Sequence, residues 1–76
     1  MDTKEEMWNF CKNVKWLRER NRLSQEEMAV IMGIAPSALR MIEAGRIPQQ
    51  LSANVIIILA ARFSIKSHEL FSPLDV

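Results

Sequence analysis

Residues 25–45 run Gln25-Glu26-Glu27-Met28-Ala29-Val30-Ile31-Met32-Gly33-Ile34-Ala35-Pro36-Ser37-Ala38-Leu39-Arg40-Met41-Ile42-Glu43-Ala44-Gly45, and they hold two short helices rather than one long one. Ser24 ahead of them and Glu27 three residues on have the spacing of a capping box, in which each side chain accepts from the other residue's backbone N–H. Met28, Ala29, Ile31 and Met32 follow as the apolar side of a helix that ends near Met32. Gly33 takes the left-handed conformation that closes a helix without a Cβ penalty, and Pro36 restarts one because its fixed φ suits a first helical turn. The second helix, about Pro36 to Ala44, closes at Gly45. So short a joint holds the second helix across the first, with Ala29 small at the crossing and Ile34, Leu39 and Ile42 filling the space between. Since Leu39 and Ile42 face inward, helical spacing turns Pro36, Ser37, Arg40, Met41 and Ala44 outward along one face.

Upstream, Thr3 and Glu6 repeat the capping-box spacing, and Met7, Phe10, Cys11, Val14 and Leu17 recur at three and four residues. This predicts a first helix over about Lys4 to Arg20, broken at Asn21-Arg22. Downstream, Gly45-Arg46-Ile47-Pro48-Gln49-Gln50 carries glycine and proline without periodicity and reads as the one real loop. A fourth helix from Leu51 or Ser52 to Phe63 and a last turn from Ser67 to Phe71 with a serine cap complete the order, and residues 72–76 are expected to fray. Nothing alternates with a period of two, so no sheet is expected. The fold class is all-α, five short helices in a single domain spanning residues 1–76.

A chain of 76 residues, 49% hydrophobic and 25% charged, has the balance of one globular domain, and at this length only about 60% of the unfolded surface can be buried. Size therefore argues against a second domain and against a large catalytic cleft. One cysteine, Cys11, permits no internal disulfide, and one histidine, His68, leaves no His/Cys metal set and no Cys-His catalytic pair. The sequence offers no nucleophile-base pair and no phosphate-cradling glycine loop, so neither an enzyme nor a metal, cofactor or small-molecule ligand is expected. Cys11 reads as a small buried thiol and His68 as an exposed residue of the last turn. The opening Met1-Asp2-Thr3-Lys4-Glu5-Glu6 is unlike a secretory leader. The longest apolar run, Val55 to Ala61, falls far short of the ~18 residues of a membrane span, so a cytoplasmic protein is expected. A net charge of +1 names no polyanionic partner. The distribution says more: residues 12–22 carry Lys12, Lys15, Arg18, Arg20 and Arg22 against Glu19, a local +4.

Two short helices joined through one glycine are the layout of a helix-turn-helix, and residues 25–45 resemble the lambda-repressor-like helix-turn-helix domain of the Cro/CI or XRE family. Gln25, Ala29, Gly33, Leu39, Ile42, Glu43 and Gly45 stand at that family's characteristic spacings. Leu17-Arg18 before them, with Leu59-Ala60 and Glu69-Leu70-Phe71 after them, extend the resemblance over about residues 14–71. The resemblance implies sequence-specific binding of double-stranded DNA by a repressor-like transcriptional regulator. In the family the N-terminal part of the third helix docks against base edges and the N-terminus of the second, here Ser24-Gln25, against a phosphate. The candidate DNA-binding residues are therefore Ser24, Gln25, Pro36, Ser37, Arg40, Met41, Arg46 and Gln49. The resemblance also pairs Arg18 with Glu43 as a structural ion pair.

Chemistry refines these roles. On the outward face only Ser37 and Arg40 hydrogen-bond to bases, Arg40 best to guanine, while Pro36, Ala38 and Met41 at most touch thymine methyls. Ala35 stands where the family commonly has a capping serine or threonine, which leaves Pro36 alone to set the first turn. Arg46 lies in the loop that in the family follows the DNA backbone, with Gln49, Gln50 and Ser52 as further donors; a solvated loop is the plainer alternative. Lys12, Lys15, Arg20 and Arg22 surround the first helix and supply diffuse attraction at most.

The fourth helix carries more apolar surface than one face needs. Ile56, Leu59, Ala60 and Phe63 make an inward face, and Leu51, Val55 and Ile58 make a second stripe. Trp16 falls on the side of the first helix opposite Val14 and Leu17, to pack against the N-terminal turn or to meet a partner. These residues predict a homodimer with Leu51, Val55 and Ile58 buried against the second copy and Trp16 at the margin. Two copies of the third helix would then lie about one helical turn, ~34 Å, apart on a palindromic site. The rival function is a protein-interaction module, antitoxin-like or an assembly domain, that keeps the helix-turn-helix as scaffold. The near-neutral charge and weakly polar outward face favour it; the intact motif and the loop arginine favour DNA.

Overall fold

The computed structural model describes residues 3–49 and 51–73. Among these, α1 (Thr3–Arg20), α2 (Gln25–Met32), α3 (Pro36–Glu43) and α4 (Asn54–Arg62) are followed by a 3-10 helix, Ser67–Phe71, and no strand is present. The class is all-α, and the fifth element is a 3-10 helix rather than an α-helix.

All four α-helices are followed by a residue with left-handed backbone. Gly33, at φ 72°, donates its N–H to Val30 O at 3.2 Å, and the Ile34 N–H reaches back to Ala29 O at 3.0 Å. Gly45, at φ 90°, repeats this with Ile42 O at 2.9 Å, and Arg46 N–H with Met41 O at 2.9 Å. These paired bonds satisfy carbonyls that the helix itself cannot. At the end of α1 the left-handed residue is Arg22, φ 56°, and after α4 it is Ser64, φ 55°, a conformation that costs an L side chain roughly 1–2 kcal/mol.

The starts differ more. The capping box of α2 is complete, with Glu27 N–H donating to Ser24 Oγ at 3.0 Å and Ser24 N–H to Glu27 Oε1 at 2.8 Å. No side chain caps α3 at Ala35, and Pro36 begins it. Thr3 lies within α1 instead of capping it. The expected start of α4 at Leu51 or Ser52 is too early: Ser52 Oγ accepts from Asn54 N–H, and the Ser52 and Ala53 carbonyls from Val55 and Ile56 N–H, all at 3.1 Å, a lead-in turn before Asn54. Ser67 does not cap the 3-10 helix either; the Glu69 carboxylate accepts from Lys66 N–H at 2.8 Å.

The core gathers Phe10, Cys11, Val14 and Leu17 from α1, Met28, Ala29 and Met32 from α2, Leu39 and Ile42 from α3, Val55 and Leu59 from α4, and Leu70. Met7, expected on the inward face of α1, is exposed; buried Asn9 and Asn13 share that face instead. The Asn9 amide donates to Phe71 O at 3.2 Å, and the Asn13 amide to Leu70 O at 2.7 Å and Ser72 O at 2.9 Å. These bonds compensate the burial of the amides and satisfy the carbonyls that end the 3-10 helix. Phe10 stacks on Phe71 beside them, ring centroids 5.5 Å apart. Ser72 is thus held rather than frayed, while residues 74–76 lie outside the described residues. Cys11 is buried as expected, and burial pushes its thiol pKa up, against a smaller lowering by a backbone hydrogen bond. His68 is exposed.

The second stripe of α4 needs correction. Val55 is only 3% exposed and belongs to the core with Leu59, so it is not open to a partner copy. The two apolar stripes belong to one wide buried face, because α4 packs against both α2 and the 3-10 helix. Leu51 and Ile58 are half-buried on that face's margin, and Ile57 is the large apolar residue of α4 that points outward, 63% exposed. Trp16 packs inward beside Leu17, Ile65 and Leu70, with the Arg20 guanidinium 5.3 Å over its ring. It neither packs on the N-terminal turn nor joins Leu51, which lies at the opposite end of α4 beside Ile47 and Pro48.

Candidate nucleic-acid interface

The outward face of α3 is built from below. Leu39 and Ile42 are fully buried, which fixes the rotation of the helix and leaves Pro36, Ser37, Arg40, Met41 and Ala44 exposed, as helical spacing predicts. The far end of α3 is fixed by charge. Arg18 Nε donates to Glu43 Oε2 at 2.6 Å and Nη2 to Oε1 at 2.9 Å, while Nη1 donates to Leu23 O at 3.0 Å, so the expected ion pair is present as a two-pronged fork. Gln25 joins it, donating Nε2 to Glu43 Oε1 at 3.1 Å. Burial of Glu43 acts to raise its pKa, but the hydrogen bonds from Arg18 and Gln25 outweigh it and hold the carboxyl below the usual range. The same hydrogen bond raises the Arg18 pKa.

The remaining candidates fall into two groups. Ser24 and Gln25 are already engaged, the Ser24 hydroxyl in the α2 cap and the Gln25 amide at Glu43, so each offers only its remaining hydrogen-bonding capacity to a phosphate. Arg40, Arg46 and Gln49 are exposed, and neither guanidinium has an ion-pair or hydrogen-bond partner among the described residues. Gln50 lies outside the described residues. Glu27 is fixed by Ser24, whose backbone N–H lowers its carboxyl pKa.

Three contacts of this region were not foreseen from the sequence. Gln25 reaching Glu43 makes the ion pair a triad across α1, α2 and α3. Trp8 lies on Gly45 so closely that a Cβ there would collide with its ring. Asn9 and Asn13 tie α1 to the 3-10 helix, and their spacing of four residues on the core face was the available signal.

Among the described residues no helix is long and apolar enough to cross a membrane. A family model for helix-turn-helix domains matches residues 14–70, about three quarters of the chain. No curated protein and no solved structure matches it. The matched segment contains the glycine-closed α2–α3 pair and both partners of the Arg18–Glu43 fork, and the chain belongs to the lambda-repressor-like, XRE-type helix-turn-helix family of DNA-binding domains, typical of transcriptional regulators.

Proposed function

We propose that this chain is a sequence-specific, repressor-like regulator that binds double-stranded DNA as a homodimer in the cytoplasm. The carrying observation is the exposed face of α3, which presents Ser37 and unpaired Arg40 on a helix locked by buried Leu39 and Ile42 and by the Glu43 fork. A rigid helix with its polar groups outward suits the major groove, where an arginine discriminates guanine through O6 and N7. Arg46 and Gln49, next along the chain, supply phosphate contacts that set register and most of the affinity. The partner copy lies against the outer side of α4, where Ile57 and the open edge of Ile58 stand in water. A two-fold pair sets two α3 helices on two half-sites.

Selection from a random duplex library tests this reading. An enriched inverted repeat supports it. Duplex binding without an enriched sequence removes the specific regulator, and no duplex binding transfers the helix-turn-helix to a scaffold role in protein interaction.

A further inference from the structure

We propose that Trp8 and Lys12, on the part of α1 that precedes the family-matched segment, bind the sugar-phosphate backbone beside Arg46 and so extend the DNA interface along the first helix. The inference rests on the DNA-binding reading above and adds a contact surface to it.

Trp8 is 51% exposed, yet it is not a side chain loose in solvent. One part of its ring is seated on Gly45, whose left-handed φ of 90° turns the chain out of α3 directly into Arg46. The ring thus fills the space a Cβ would need at the residue preceding the loop arginine. Lys12, one turn along α1, sets its ammonium 5.6 Å over the same ring. Lys15 follows on the same side, and its charge reaches Glu43 and helps lower that carboxyl's pKa. This side of α1 therefore runs beside the C-terminal half of α3, from the Arg18–Glu43 fork to the Trp8–Gly45 contact. It carries a half-open indole and two lysines, and it is continuous with unpaired Arg46.

A phosphodiester strand matches that surface in charge and chemistry. It is polyanionic, takes a hydrogen bond from the indole N–H, and presents sugar carbons to the exposed part of the ring, while Lys12 neutralises one phosphate. A purely structural role, in which Trp8 only holds the Gly45 turn, predicts a different salt response. Loosening a turn weakens binding without removing a counterion-releasing contact, whereas losing a phosphate contact lowers the slope of log K against log salt by about one.

The test uses a fluorescein-labelled random-sequence duplex about two helical turns long, followed by anisotropy over a salt series. The expected result is that Lys12→Gln lowers the salt slope by about one and Lys12→Arg restores it. In a Trp16→Phe chain Trp8 is the sole tryptophan, and its emission is expected to shift and saturate together with the anisotropy. An unchanged slope in Lys12→Gln, or Trp8 emission that stays constant while anisotropy rises, overturns the proposal and leaves the DNA-binding reading intact. No anisotropy rise with the unaltered chain overturns both. Should Trp16→Phe fail to fold, as circular dichroism would reveal, the slope in Lys12→Gln decides alone, since Lys12 is exposed.

Discussion

Arg18 and Glu43 meet as a fork, Nε to Oε2 at 2.6 Å and Nη2 to Oε1 at 2.9 Å, and through it the last half of α1 holds the last turn of α3. The side chains are 16% and 5% exposed, so neither charge can recover full hydration when its partner is removed. Glu43→Ala is expected to cost ~1–3 kcal/mol, most of it from stranding the guanidinium, and the double variant with Arg18→Met to cost less than the two single losses summed. Urea unfolding of the four chains checks this; additive losses would mean that the fork is not coupled.

The same carboxyl gives stability a pH dependence of known sign. Glu43 has its folded pKa below its unfolded value, so its contribution is complete above about pH 4.3, the ordinary glutamate value, and is lost as pH falls through the folded pKa. Wild type and Glu43→Gln compared by urea unfolding from pH 7 down to pH 3 should converge at the acid end. A gap of constant size would detach the carboxylate from the effect.

Arg40 and Arg46 are both exposed and unpaired, but they lie on different parts of the surface. Arg46→Ala is expected to weaken binding to all duplexes alike and to flatten the salt slope by about one, while Arg40→Ala costs ~1–3 kcal/mol chiefly on the selected site. Anisotropy with selected and scrambled duplexes measures both. Equal losses on the two duplexes for Arg40→Ala would remove it from base reading.

Ser64 carries a left-handed backbone at φ 55° where α4 ends, the conformation that Gly33 and Gly45 hold at the ends of α2 and α3. Replacing the exposed Ser64 by glycine relieves the Cβ strain and loses part of that gain to the freer unfolded chain, for a net stabilisation of about 0.5–1 kcal/mol. At this chain length that raises the Tm by several degrees in a thermal melt. A fall in Tm would show that Ser64 is held there without strain.

Val55 and Ile57 are two residues apart and separate the core from the proposed dimer surface. Val55→Ala should cost ~1–3 kcal/mol of stability without a direct effect on association, because the site is sealed inside one chain. Ile57→Glu should change stability of the single chain by less than about 0.5 kcal/mol and shift the solution mass from dimer to monomer. Light scattering at matched concentrations reads the second effect; a wild-type monomer at tens of micromolar would overturn the dimer.

Local backbone chemistry was the most legible part of the chain. Gly33, Pro36 and the Ser24–Glu27 box act within a few residues of themselves, so the sequence carries their whole argument, whereas at Gly45 it carries the turn but not the ring of Trp8 that also excludes a Cβ. Leu39 and Ile42 were legible because a helix packed on one side shows its period plainly. Val55 was misplaced for the converse reason, since a helix packed against two elements has a wide apolar face that reads as two stripes. Asn9 and Asn13 are not legible as core residues because an amide belongs on an apolar face only if distant carbonyls meet it. Trp8 on Gly45 and Gln25 on Glu43 depend on how separate helices come together, which helical spacing alone does not encode. The Arg18–Glu43 pair was found through the family resemblance rather than through spacing.

The bonds from Asn9 to Phe71 and from Asn13 to Leu70 span 62 and 57 residues, and they fix the order in which the molecule can be finished. Synthesis delivers α1 well before its acceptors. Until residues 69–72 emerge, the two amides and the Phe10 ring wait without these partners, beside a helix-turn-helix whose own turns need only local sequence. The loop entropy of joining segments about sixty residues apart is met only once residues 69–72 are made, after the helix-turn-helix. A chain stalled before Glu69 would leave one end of its core uncovered, open to proteases and chaperones, and only a chain carried through to Ser72 can acquire all of these bonds.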